Sequence, residues 1–288
     1  MKKFLAGGMV AALCLVLAPA ALASSHHPKG EFAQFGECPL NRTTISDCVY
    51  SVTSAGSFTI GKKTVPIVKP VTLQGGYEGV SPNIKFFGAE NGDTLSKTPQ
   101  PVPGGLTGIV APTWWPKFIQ EWFNNGINEG LTGVNATVEL AKPATSITLN
   151  TENLLFEKGT ALGLPVKIKL DNALLGSSCY IGSNSSPIQI DFTSGTTSPP
   201  LPNKPIKGSA GEFTANEEFT LLTFSGGKLV NNSFNVAQGA NGCGGIFSIF
   251  INPLVDSILG TPSAAGKNTA ILEGKIQDAN AGAVKASE

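Results

Sequence analysis

The sequence predicts a mainly β protein, an antiparallel β-sandwich or barrel with one or two short amphipathic helices, and three observations support this. Apolar and polar residues alternate in several short runs, which places the apolar residues on one face of a strand. Turn-forming residues are frequent, since the 288 residues include 34 glycines and 20 prolines. Only 14% of the residues are charged while 41% are hydrophobic, so the chain has enough apolar side chains for a large core.

The alternation is clearest in residues 134–140, 166–171 and 188–193. Because the polar residues of each run need water on their face, the pattern favours antiparallel sheets. Weaker runs predict strands at residues 57–60, 64–68, 71–73, 84–87, 146–149, 218–224, 228–236 and 269–276. Glycines between such runs predict hairpin turns at residues 61–63 and 225–227.

A first amphipathic helix is predicted over residues 115–131. Its apolar residues recur at helix-face spacing, and all three tryptophans of the chain lie in or beside its first half. Two interpretations follow: the helix packs on a sheet or covers the mouth of a barrel, or it presents an aromatic surface to a glycan, a lipid or the cell envelope. The candidate binding residues are Trp114, Trp115, Phe118 and Trp122.

A second helix is predicted to end at Gly260. Asn252 followed by Pro253 is typical of a helix start, in which Asn is the N-cap and Pro takes the first position. The preceding residues 246–251 are strongly apolar and are predicted to form a buried helix or strand.

Residues 1–23 have the pattern of a signal peptide, with Lys2 and Lys3 before an apolar run and Ala21-Leu22-Ala23 as the cleavage motif. We therefore expect a secreted, extracellular protein that begins at Ser24, with association to the cell surface as an option. Residues 24–105 form a β-rich segment that ends in a Pro/Gly-rich linker and either stands apart from or joins the main β domain, residues 106–288. No second apolar stretch is long enough for a transmembrane span.

Four cysteines remain after cleavage of the predicted signal peptide: Cys38, Cys48, Cys179 and Cys243. An even count in an exported chain predicts disulfides. Three pairings are open, and proximity in sequence favours Cys38–Cys48 and Cys179–Cys243. No Cys or His spacing typical of a metal site is present, so we expect no metal and no cofactor.

Catalytic motifs are scarce. His26 and His27 are the only histidines, and their position beside the predicted N-terminus suggests a disordered tail, which disfavours a Ser-His-Asp triad or a Cys-His pair. Acidic residues leave one catalytic alternative, a carboxylate-dependent carbohydrate-active enzyme. The candidates are Glu139, Glu152, Glu157, Asp191, Glu217 and Glu218. Lys and Arg number 20, as do Asp and Glu, and this balance argues against a nucleic-acid partner.

Five short motifs of the C-terminal half together resemble a group of uncharacterised secreted actinobacterial proteins. They are CYIGSNSSPI at residues 179–188, GTTSPP at 195–200, GCGG at 242–245, NPLV at 252–255 and PSAAGKNTA at 262–270. The resemblance covers residues 166–274. It implies an extracellular β-rich module and supports the Cys179–Cys243 pairing, and it implies no activity.

Three functions are therefore predicted, in order of support. The first is a non-catalytic structural or binding protein of the cell surface or extracellular matrix, with an envelope polymer, a glycan or a lipid as partner. The second is a carrier of an apolar small molecule or lipid in a barrel-like cavity. The third is the carbohydrate-active enzyme.

Overall fold

The protein consists mainly of two antiparallel β-sheets. The structure is a computed structural model that describes residues 26–128 and 132–288. The predicted signal peptide lies outside the described residues. The described strands are β1 (Asp47–Ile60), β2 (Lys63–Pro66), β3 (Val71–Glu78), β4 (Lys85–Gly88), β5 (Gln100–Pro101), β6 (Asn135–Leu140), β7 (Thr148–Leu149), β8 (Leu162–Asp171), β9 (Tyr180–Ile181), β10 (Ile188–Phe192), β11 (Glu212–Ala215), β12 (Leu221–Asn231), β13 (Ala240–Asn241) and β14 (Thr269–Asn280). The α-helices are α1 (Lys117–Asn128), α2 (Thr151–Leu155), α3 (Ser248–Leu259) and α4 (Ala281–Ala286).

Sheet A has the order β11-β12-β14-β1-β3-β4, and β2 pairs with the far part of β1. Its centre is the long pairing of β1 with β14, which runs from Asp47 opposite Asn280 to Thr59 opposite Thr269. Sheet B has the order β13-β9-β8-β6-β5, and β7 and β10 also pair with β8. Each sheet contains strands from both sides of residue 105, so the N-terminal β-rich segment and the main segment share their sheets.

The alternating runs of the sequence form strands as predicted. In β10, Ile188, Ile190 and Phe192 are buried while Gln189 and Asp191 are exposed. The apolar residues of β6 and β8 likewise contribute to the core between the sheets. The mainly β, antiparallel fold class predicted from the sequence is therefore confirmed.

One of the two predicted hairpins is wrong. The chain does turn at residues 61–63, where Ile60 pairs with Lys63. At residues 225–227, however, β12 continues and pairs with β14 on both sides, with a register shift between Ser225 and Gly227. Because β14 lies opposite the whole length of β12, the glycine pair is accommodated as a β-bulge.

The start of the second predicted helix is also wrong. A 3₁₀ turn at Gly245–Phe247 leads directly into α3, which begins at Ser248, so Pro253 lies inside the helix. The Asn252 side chain accepts a hydrogen bond from the Cys243 N–H (3.0 Å) instead of capping the helix. The predicted end is confirmed, because Gly260 adopts the left-handed C-cap conformation with φ 74°.

The turn between β1 and β2 joins two helical segments at one end of the molecule. The Lys62 N–H donates to the Leu259 carbonyl (2.7 Å), and Lys63 Nζ donates to the Gly108 carbonyl (3.3 Å). Only glycine fits at position 61, since an added Cβ would lie 2.4 Å from the Leu259 carbonyl oxygen. We call this region, residues 61–63, 104–123 and 244–260, the helical end.

A second, smaller core lies on the outer face of sheet A, near the start of β1. We call the segments that build it, residues 26–46 and 281–288, the terminal cluster. Phe35 and Val284 pack there with Cys48, Phe87 and Leu221 of the sheet, and all are buried. The terminal cluster thus ties the two ends of the described chain to the same sheet.

Both expected disulfides are present. Cys38 bonds to Cys48, with a sequence separation of 10, and Cys179 bonds to Cys243, with a separation of 64. Two disulfides are typical of proteins from oxidising, extracellular environments. Among the described helices, none has the length and apolar character needed to cross a bilayer.

Candidate functional site

An apolar cavity lies between the two sheets. Its volume is about 140 Å³, and it is partly open to the outside. Aliphatic side chains from both sheets dominate its wall, among them Leu73 and Leu229 of sheet A and Leu164 and Ile190 of sheet B. Alternation places these side chains in the interior, because each strand turns one face inward.

Gln100 and Ser96, two of the polar side chains in the cavity wall, are bonded to the protein itself. Gln100 Oε1 accepts the N–H groups of Val68 (2.9 Å) and Lys69 (3.0 Å), and Gln100 Nε2 donates to the Lys69 carbonyl (2.7 Å). Ser96 Oγ accepts the Thr72 N–H at 2.9 Å. Because these bonds occupy Gln100 and Ser96 and most of the remaining wall is aliphatic, the cavity favours an apolar occupant.

Lys63 is the only charged residue among those that line the cavity in the described chain. Its half-buried ammonium group sits at the helical end and bonds to the Gly108 carbonyl. An ammonium group has three N–H donors, so one bond to a carbonyl leaves capacity for an anionic acceptor. The neighbouring Lys62 also donates to a backbone carbonyl, that of Ser257 (3.2 Å), but does not line the cavity.

Helix α3 forms part of the cavity wall at the helical end. Val255, Ile258 and Leu259 face the cavity. Across from them, the wall is completed by Gly105 and Leu106 of a 3₁₀ turn at Gly105–Thr107. The wall at this end is therefore built from short helical segments, while the rest of it is built from paired strands.

The predicted aromatic residues lie together at the helical end, next to this wall. Trp114, Phe118 and Trp122 are 80%, 71% and 77% exposed, respectively. Trp115 is half-buried and packs edge-on against Trp114 (ring centroids 6.0 Å apart) and against Phe123 (5.5 Å). Helix α1 thus has one side on which Phe123 packs against Trp115 and one, with Phe118 and Trp122, that faces outward.

Comparison of the chain with protein-family models, with curated proteins and with solved structures finds no match. The geometry of the cavity and its surroundings is therefore the basis for a functional proposal.

The acidic residues suggested for glycoside chemistry have separate partners. Glu139 pairs with Lys167 (3.7 Å), Glu157 accepts the Ala210 N–H (3.1 Å), and Asp191 accepts from Gln189 Nε2 (2.7 Å). The remaining three candidates, Glu152, Glu217 and Glu218, are exposed. Across the described ranges, no group of three or more His, Cys, Asp or Glu side chains is placed to hold a metal ion.

A different acidic pair lies on the inner face of sheet A, far from the helical end. The Tyr77 hydroxyl donates to Asp278 Oδ2 at 2.6 Å. Burial raises the pKa of Asp278 to about 7; the Tyr77 hydrogen bond opposes this shift, and the nearby Asp47 carboxylate adds to it. Burial also raises the pKa of Asp47. The sequence gives no signal for this pair, because Asp47 and Asp278 meet only through the register of β1 with β14.

The prediction that His26 belongs to a disordered tail is wrong. Its side chain is only 10% exposed and lies between two carboxylates, with Nδ1 2.5 Å from Glu288 Oε1 and Nε2 3.5 Å from Glu90 Oε1. The ring packs there because the Lys29 N–H bonds to the Ser287 carbonyl (3.2 Å), which holds the two segments of the terminal cluster side by side. This contact is structural and distant from the cavity.

Proposed function

We propose that the protein is a secreted, non-catalytic binding protein that holds the apolar part of an amphiphilic small molecule between its two sheets. The observation that carries this proposal is the apolar cavity, with its mostly aliphatic wall in which Gln100 and Ser96 are bonded to the protein. Of the functions predicted from sequence, the carrier therefore receives the most support. The predicted signal peptide and the two disulfides support secretion.

The size of the cavity limits the group that enters it. Its volume of about 140 Å³ is close to the ~150 Å³ of an engineered apolar cavity that stays dry and binds benzene. A small ring or the end of an alkyl chain fits this space. Transfer of such a group out of water is favourable by ~0.8 kcal/mol for each methylene that becomes buried.

The position of Lys63 suggests the chemistry of the other part of the ligand. With the apolar part inside, the head of the molecule lies at the helical end, beside the only charged side chain of the described cavity wall. A carboxylate or another anion there forms a charge-assisted hydrogen bond with the ammonium group. The ligand class that fits both features is a small anionic amphiphile.

Calorimetric titration with octanoate and with 1-octanol tests this proposal, because the two probes share a chain and differ in the charge of the head. Octanoate is expected to bind about 3- to 10-fold more tightly than 1-octanol, and Lys63→Gln is expected to remove that preference. Lys62→Gln is the matched control, since its neighbouring ammonium group does not line the cavity, and it keeps the preference.

A cavity-filling variant tests the location of the binding site. Ala136 lines the cavity on β6, so Ala136→Phe places a ring in the space and is expected to weaken the binding of both probes by at least about tenfold. Circular dichroism checks that the variant is folded. A folded Ala136→Phe protein with unchanged affinity for both probes would overturn the proposal.

A further inference from the structure

The helical end exposes an unusual number of large hydrophobic side chains. On α1, Phe118 and Trp122 are spaced four residues apart and lie on one side of the helix, and Trp114 is exposed in the turn that precedes it. On α3, Ile249 and Phe250 are exposed in the first turn. Further exposed apolar residues of the same two segments are Ile109, Val110, Ile246, Phe247 and Leu254. We call these ten residues the apolar surface.

Both segments of the apolar surface lie at the same end of the molecule, although they are far apart in sequence. The turn between β1 and β2 bonds to each of them, through Lys62 to the C-terminal turn of α3 and through Lys63 to Gly108. Large exposed apolar side chains gathered at one end of a molecule are uncommon on soluble proteins and indicate an interaction site.

The charged residues of the helical end are three lysines and two acids, an excess of one positive charge. Residues 98–116 and 229–255 include no charged residue, while α1, which holds Phe118 and Trp122, begins at Lys117 and includes Glu121. Asp256 is half-buried, and its Oδ1 accepts the Ala240 N–H (2.7 Å) and the Thr261 hydroxyl (2.6 Å). Lys62, Lys63 and Lys117 flank the surface, and Glu121 is the acidic residue of α1.

We propose that the apolar surface docks on a lipid membrane that contains anionic headgroups. Tryptophan inserts into the boundary between headgroups and acyl chains, where its apolar ring body and its polar N–H are both satisfied, and phenylalanine adds buried apolar area. Lysines beside such a surface remain at headgroup level and attract anionic lipids. This combination of a neutral apolar face with flanking lysines is that of a helix lying in the membrane interface.

A second copy of the chain is the competing occupant, and the oligomeric state in solution distinguishes it from a bilayer. An anionic bilayer complements the excess of lysine at this end. Membrane docking does not depend on the proposed ligand binding, but it would place the cavity wall of α3 next to a source of amphiphiles.

The three tryptophans make this proposal directly measurable. All of them, Trp114, Trp115 and Trp122, belong to the helical end, so intrinsic fluorescence reports on this region alone. On titration with vesicles of 70% phosphatidylcholine and 30% phosphatidylglycerol, we expect a blue shift of the emission and co-sedimentation of the protein. Vesicles of phosphatidylcholine alone are expected to bind at least about threefold more weakly, because they lack the anionic lipids that attract lysine.

Exposed positions supply variants that leave the fold and the fluorophores intact. The double variant Phe118→Ser/Phe250→Ser removes one ring from each segment and is expected to weaken vesicle binding by at least about tenfold. Phe219→Ser is the matched control, since Phe219 is equally exposed but lies in the turn before β12, at the opposite end of sheet A. It is expected to bind vesicles like the unmodified protein.

Two results would overturn membrane docking. One is the absence of a blue shift and of co-sedimentation at millimolar lipid. The other is a dimer in analytical ultracentrifugation that Phe118→Ser/Phe250→Ser dissociates, because this would assign the apolar surface to a second copy. Octanoate titration without vesicles measures ligand binding in the cavity independently of membrane docking. Failure of one proposal can therefore be distinguished from failure of the other.

Discussion

The terminal cluster and the helical end both place apolar side chains outside the core between the sheets, but only one of them covers those side chains. In the terminal cluster, Phe35, Phe87 and Val284 are buried by the two chain segments that meet there. At the helical end, Phe118 and Trp122 of α1 and Ile249, Phe250 and Leu254 of α3 face outward. The same chain thus buries apolar residues at one site and leaves them open at the other, which points to binding at the helical end.

The two regions also differ in how they are held. The terminal cluster is fastened by backbone bonds between its segments, by the Cys38–Cys48 disulfide and by the His26 contacts with Glu90 and Glu288. The helical end is fastened by the β1–β2 turn and, at the start of α3, by the Cys179–Cys243 disulfide. Changes in the terminal cluster should therefore alter stability alone, while changes at the helical end should also alter binding.

Removal of each disulfide is expected to give the largest effects. In the chain-entropy model, Cys179→Ala/Cys243→Ala costs about 4 kcal/mol of unfolding free energy, because it opens the longer loop, and Cys38→Ala/Cys48→Ala costs about 3 kcal/mol. Denaturant unfolding measures both. Octanoate titration then separates the two regions, since only loss of the Cys179–Cys243 bond is expected to weaken binding. Equal loss of affinity in both variants would contradict the comparison.

Replacement of the buried Asp278 should stabilise the protein by roughly 2–4 kcal/mol above pH 7, given a pKa of about 7 in the fold against 3.8 for the free side chain. Between these pH values the unfolded chain loses a proton that the native protein keeps, so native stability falls as pH rises through this window. Asn does not titrate and still accepts from Tyr77. Unfolding of Asp278→Asn and the unmodified protein at pH 4, 6 and 8 should show an advantage that grows with pH and then levels off.

Octanoate affinity serves as the control for this variant. Asp278 lies far from the helical end, so the affinity should not change when stability does. An advantage of Asp278→Asn that is independent of pH would contradict the assigned titration.

Gly61→Ala should destabilise the protein by roughly 1–3 kcal/mol, since the residue has φ 55° and no room for a Cβ. The clash is with the Leu259 carbonyl, so α3 has to move and octanoate binding is expected to weaken as well. Gly226→Ala is a useful control, because it has a similar φ of 66° but no atom within 4 Å of the added Cβ. It should cost stability without weakening binding; equal effects of both variants on affinity would argue against the contact between the turn and α3.

His26→Ala should have the smallest effect, about 1 kcal/mol, because it removes one side-chain hydrogen bond, the one to Glu288. Thermal unfolding measures the change, and both octanoate and vesicle binding should stay the same. A loss of either binding activity would show that the terminal cluster and the helical end are coupled.

Local patterns predicted much of the fold. Alternation located β6, β8 and β10 because their apolar residues point in one direction and their polar residues in the other. Most of β1 was missed because Ser51 and Thr53, which line the cavity, are polar residues on an inward face. The bulge in β12 and the start of α3 were mispredicted because partners distant in sequence, β14 and the Cys243 loop, override the local signals.

The candidate site was only partly accessible from sequence. The aromatic residues of α1 stood out through their spacing, but their exposure depends on what covers them in the fold. The cavity and the role of Lys63 arise from two sheets built from the whole chain, and no short motif encodes them. The Asp47 and Asp278 pair has the same origin.

The most direct test of ligand binding between the sheets is the measurement of intermolecular nuclear Overhauser effects between octanoate and the protein's methyl groups. We predict that the octanoate methyl group contacts Leu164, Ile190 and Leu229 in the cavity wall, and that the methylene beside the carboxylate contacts the Lys63 side chain. Contacts confined to the exposed residues of α1 and α3, with none to these three wall residues, would contradict the account.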